Sequence, residues 1–180
     1  IVNNYSSFLI IIFILFAVFR ISQFAQAENQ IVLVDSYSYT GISKFSIFEI
    51  LQGKQICYTE GYCTSRGFFI PLIFKLLRQN YLAISIFQLF FSILCWGVLI
   101  HEFCKLIKSS RVKIIFSIFI LGLASCPNVT RWDLMILSES ITISTTVLWI
   151  STWFRLFNNK NRILKDYIYY FLISVILLGT

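Results

Sequence analysis

The chain has 180 residues, a net charge of +7, 58% hydrophobic residues, a mean hydropathy of +0.80 and only 13% charged residues. A soluble domain of this size is near half apolar with about a quarter charged, so the excess excludes a single water-soluble core and points to a polytopic membrane protein. The basic residues gather at the ends of apolar runs, where topology accounts for them better than a nucleic-acid partner does.

Taken in chain order, apolar runs fall at about 8–27, 68–100, 112–126, 134–154 and 167–180. A spanning helix needs about 20 apolar residues. The first, second and fourth runs are long enough. The third stops at Pro127, and the fifth ends with the chain. The expected fold is an all-α polytopic membrane protein with about five transmembrane helices, the last one truncated. A long outer loop, about 28–67, carries short amphipathic helices between the first two.

Charge sets the orientation. The segment after the second run has Lys105, Lys108, Arg111 and Lys113 against Glu102, and the one after the fourth has Arg155, Lys160, Arg162 and Lys165 against Asp166. Both read as cytoplasmic. The 28–67 segment balances Lys44, Lys54 and Arg66 against Glu28, Asp35, Glu49 and Glu60, and reads as outside, as does the turn Cys126–Asp133. The assignments alternate across the five runs.

Within the outer loop, Phe45, Ile47, Phe48 and Leu51 stand at helical spacing and predict a short helix on the membrane surface. Cys57 and Cys63 flank a turn at Gly61 and form a disulfide candidate on the outer side. Cys95, Cys104 and Cys126 read as small apolar fillers. His101 near Cys104 supplies too few ligands for zinc.

Two carboxylates stand out. Asp35 lies where the chain leaves the first run, and Glu139 lies within the first two turns of the fourth helix. Carboxylates near lipid face polar cavities as a rule, and the predicted topology lets both reach one outward-facing cavity. The competing readings are a helix cap for Asp35 and a dipole-favoured charge for Glu139. Arg66 and Arg131 sit just before helix starts, as anion-binding groups or as interfacial anchors.

Three stretches, in order, resemble those of the GT-C membrane glycosyltransferases, the group that includes protein O-mannosyltransferases and lipid A aminoarabinose transferases. Asp35 with its following tyrosines is similar to the acidic motif of their first outer loop. Residues 65–77, SRGFFIPLIFKLL, resemble their Arg-x-Pro-Gly-Tyr-Pro-Leu-Phe stretch, and residues 137–144, LSESITIS, their Thr-Glu-Ser-Leu stretch. Ser36 stands where many members have a second acid, and Gly67–Ile70 replaces the Pro-Gly-Tyr core. The resemblance covers nearly the whole chain, as the N-terminal part of a single GT-C-like transmembrane domain that is expected to be inactive alone.

The resemblance implies an integral, multi-pass protein of a bacterial plasma membrane with its site facing outward. Its donor is a lipid-linked sugar, a polyprenyl phosphate sugar or diphosphate relative. Its acceptor is a glycan, lipid or protein, and transfer inverts the anomeric centre. Asp35 would serve as general base, with Arg66 and Arg131 facing the leaving phosphate. Glu139 would position the acceptor or help hold a divalent metal, the one cofactor left open. Tyr37 and Tyr39 would offer ring faces to a sugar or sit at the interface. A transporter or flippase segment, with Glu139 as coupling carboxylate, and a non-catalytic membrane scaffold are the competing functions.

Overall fold

A computed structural model describes residues 2–27, 34–57, 63–64, 67–135, 138–158 and 164–179. Arg66 and the Gly61 turn lie outside them, and for Asp35 the backbone alone is described. The described chain is almost entirely helical, with one short hairpin.

Helix α1 (Val2–Gln26) is apolar all round, and only one stripe of it is covered. Leu9, Phe13, Phe16, Ala17, Arg20 and Phe24 recur every three or four residues, so they share one face. Phe13 packs over Gly97, where a Cβ would come within 2.8 Å of the ring; the absence of a side chain there lets α1 approach its neighbour.

The segment between α1 and the next long helix holds α2 (Val34–Ile42), α3 (Ile47–Leu51) and the antiparallel pair β1 (Ile56–Cys57) and β2 (Cys63–Thr64). Cys57 and Cys63 face each other in this hairpin and are disulfide-bonded. Helix α3 starts with a capping box: Ser46 Oγ accepts from Glu49 N–H at 3.2 Å, and Glu49 Oε2 accepts from Ser46 N–H at 2.8 Å. Its Ile50 is buried, whereas Ile47, Phe48 and Leu51 are exposed, the face an interfacial helix turns to lipid.

Helix α4 (Phe69–Leu76) starts with Pro71 in its first turn, where a missing N–H removes no helical bond. The apolar run at 68–100, expected as one helix, is broken here. Arg78 and Gln79 take positive φ of 52° and 58°, and Asn80 caps a new helix by accepting from Ala83 N–H at 3.1 Å. Helix α5 (Tyr81–Leu106) follows. Then come α6 (Ser110–Ala124), α7 (Pro127–Thr130) with proline at its start, and a 3-10 turn at Arg131–Asp133.

Helix α8 (Ser138–Asn158) packs along α5, and α9 (Leu164–Leu178) packs on α8. Both helices bury polar residues, Ser85, Gln88 and Ser92 on α5 and Ser140, Ser144, Thr145, Ser151 and Thr152 on α8, beside apolar contacts of Cys95 and Leu99 with Val147 and of Ile84 with Ile141. Thr145 and Ser151 hydroxyls donate to the carbonyls one turn back, so small polar residues bring the backbones close while bonding within their own helix.

Five spanning helices were expected. Two of the described helices, Ser7–Gln26 and Tyr81–Leu106, are long and apolar enough to cross a membrane, and a third counts if Ser110–Ala124 and Pro127–Asp133 form one span bent by 53°. The shortfall has a local cause. Eight of the 21 residues of α8 are Ser or Thr, and the apolar part of α9 runs only from Tyr167 to Leu177. The chain is an all-α protein with the helices of a membrane protein.

Candidate functional site

Contacts sort the helix ends into two groups. At one end lie the last turns of α1 and α6, α7, the 3-10 turn, and the starts of α5 and α8. At the other, His101, Glu102, Lys105, Arg155 and Asn158 line a shared hollow at the ends of α5 and α8. The first end carries the residues singled out from the sequence.

Its centre is one buried cluster. Tyr39 of α2, Ile70, Ile73 and Phe74 of α4, Ile84 of α5 and Ile141 of α8 pack together, with Trp132 against them. Helix α2 is also tied to the end of α4 by hydrogen bonds. Lys75 Nζ donates to the carbonyls of Phe45 at 2.7 Å and Ser43 at 3.3 Å, and Gln79 Nε2 donates to Ser43 Oγ at 3.0 Å.

The predicted residues divide. Tyr37 is 63% exposed, free to present its ring. Tyr39, one of the two tyrosines expected to face a sugar, is 3% exposed and packs on Phe74 at 5.8 Å between ring centroids. The two tyrosines therefore differ in surroundings: α2 turns opposite faces toward solvent and core, and residues two apart on a helix point apart. Glu139 is half-buried in the first turn of α8, its Oε2 accepting from Ser138 Oγ at 3.5 Å; among the described residues no cation pairs with it. Arg131 is exposed and lines a cavity of about 290 Å³ that Glu139 does not line. The role of Asp35 and Arg66 in any shared cavity lies outside the described side chains. Cys126, read as an apolar filler, is exposed, while Cys95 and Cys104 are buried. Among the described residues no three His, Cys, Asp or Glu side chains group as a metal site would need.

Sequence reasoning missed the strongest polar contact of this end. Arg20 of α1 is 1% exposed and forms an ion pair with Asp133, itself 2% exposed. Arg20 also donates to the Ala124 carbonyl that ends α6 and to Ser92 Oγ of α5 at 3.2 Å. Asp133 Oδ1 accepts from Ser140 Oγ at 2.8 Å. Two residues thus join α1, α5, α6 and α8. The available signal was Arg20 itself, a lone cation inside the first apolar run.

No family model, curated protein or solved structure matches the chain.

Proposed function

We propose that the chain is the N-terminal part of a GT-C-type membrane glycosyltransferase, with α1, α5, α6 with α7, α8 and α9 as five crossings and the Tyr39 end outward. The observation that supports this is convergence. The three stretches that carry the resemblance each send side chains into one buried cluster: Tyr39 from the first, Ile70, Ile73 and Phe74 from the second, Ile141 from the third. They are separated by tens of residues in sequence, and a chance set of weak motifs has no reason to meet.

In the reaction, an acceptor hydroxyl attacks the anomeric carbon of a polyprenyl phosphate sugar from the face opposite the phosphate. The hydroxyl proton passes to Asp35, the new C–O bond forms, and the bond to the phosphate breaks with inversion. Arg66 and Arg131 meet the charge that grows on the departing lipid phosphate. Tyr37 offers its exposed ring to the sugar. Glu139 positions the acceptor or holds a divalent ion.

The test uses the full-length protein and a labelled polyprenyl phosphate sugar. D35N abolishes transfer while membrane insertion stays normal; near-normal transfer by this variant removes Asp35 as the base. A second reading, a transporter or flippase segment, draws on the half-buried Glu139, which pairs with no cation among the described residues, and on the polar residues buried on α5 and α8. It predicts loss of flux in E139Q with no transferase reaction to measure.

A further inference from the structure

At the end opposite Tyr39, the last turns of α5 and α8 wall a hollow of about 540 Å³. His101 and Lys105 stand one turn apart and share a face of α5, and Arg155 and Asn158 do the same on α8. These side chains are accessible: His101, Lys105 and Asn158 are exposed, and Arg155 is half-buried. The carboxylate among the described lining residues, Glu102, is 7% exposed and accepts from Lys105 Nζ at 2.8 Å, so it steadies the lysine. Two cations against that one carboxylate leave the lining net positive. His101 adds a ring N–H in either protonation state, and Asn158 adds amide N–H groups. Donors and positive charge that converge on one space suit a phosphate.

Depth and surroundings point to its source. From Tyr81, about 20 residues of helix rise about 30 Å, the thickness of a hydrocarbon core, and reach His101. The hollow therefore stands at headgroup level. Beside it, the Arg155 guanidinium lies over the Tyr169 ring at 5.6 Å, and Trp153 stacks on Phe157 at 5.8 Å. Trp153, Phe157, Tyr167 and Tyr169 are exposed, an aromatic rim of the kind that sits between headgroups and acyl chains. We propose that this hollow binds the phosphate of an anionic phospholipid in the adjoining leaflet. Lys105, Arg155 and Asn158 donate to the phosphate, and the aromatic rim lies against the glycerol and the first methylenes. Lys108 and Arg111, exposed at the same end but outside the lining, add only the diffuse attraction of basic flanks. The hollow is at the other end of the bundle from the proposed transfer site and does not rest on that reading.

The test reconstitutes the full-length protein in phosphatidylcholine nanodiscs with increasing phosphatidylglycerol and follows thermal unfolding. The wild-type midpoint rises with phosphatidylglycerol and saturates. In K105Q/R155Q the apparent affinity falls about tenfold or more, whereas K108Q/R111Q, which removes the same charge outside the hollow, stays near wild type. N158D, a change at an exposed position, sets a carboxylate in the hollow and gives a similar loss; it carries the test if K105Q/R155Q does not fold. No rise in the wild type, equal losses in the two double variants, or an unchanged affinity in N158D overturns the proposal. So does a midpoint raised by soluble glycerol phosphate in pure phosphatidylcholine but not by phosphatidylglycerol, which would assign a free phosphate instead.

Discussion

Arg20 and Asp133 show how one pair of residues fixes a helix that has no preferred face. A buried ion pair is weak evidence of net stabilisation, since both charges lose their water. Breaking it is another matter, because the survivor stays buried and uncompensated. R20A should therefore destabilise the protein in detergent by about 3–5 kcal/mol. The double variant R20M/D133L should recover most of the loss, because no charge is then left behind. Thermal unfolding of the three proteins checks this; equal loss in the single and double variants would mean that the packing of Arg20, rather than its charge, matters. At the same scale, Lys54 and both donors of Ser46 hold the Glu49 carboxyl down to about 2 from its usual 4.5. A depressed carboxylate lends stability that is full above its ordinary value and is lost as pH falls toward the depressed one. The capping box of α3 should thus hold at pH 5 and open between about pH 4.5 and 2. Amide exchange at Glu49, whose N–H the Ser46 side chain holds, reports the opening, and E49Q removes that pH dependence.

At the scale of the element, the break between α4 and α5 is the informative feature. Two consecutive left-handed residues, neither of them glycine, carry a steric penalty of roughly 1–2 kcal/mol each. Gln79 offsets its own through bonds to Ser43 and Thr40 at the end of α2. Arg78 is exposed and has no such bond among the described residues. R78G should therefore raise stability by up to about 1 kcal/mol, the gain from relieved strain exceeding the entropy that glycine loses. A neutral or lower unfolding midpoint would show that Arg78 contributes an interaction that outweighs its strain. The break has a structural consequence too. It turns α4 off the line of α5, which lets the second motif stretch lie over the ends of the bundle and pack on α2.

For the whole molecule, the alternation of charge and the sorting of helix ends are what the proposed topology rests on. Cys126 is exposed at the Tyr39 end, which the proposed function places outward, and Ser109 is exposed at the start of α6, near the other. Cys95 and Cys104 are buried and Cys57–Cys63 is bonded, so Cys126 is the reactive thiol among them. In intact cells a membrane-impermeant maleimide should label the wild type, and should label C126S/S109C only after permeabilisation. Labelling in the reverse order would invert the topology and place the proposed site on the wrong side for an outward transferase.

Much of this was legible in the sequence. Hydrophobic runs, their basic flanks, the proline that follows α6, the short helix that ends at Leu51 and the facing cysteines all depend on neighbours within a turn or a short loop. Such local physics is written where it acts. The tertiary structure alone decided which face of α1 is covered, that Tyr39 is core while Tyr37 is exposed, and that Cys126 is not a filler. It also decided that Arg20 pairs with Asp133, 113 residues away. Helix α1 is apolar on every side, so periodicity gives it no direction, and its partner had to come from a distant turn. A buried pair of charges is invisible to local pattern because its reason for being buried is the partner.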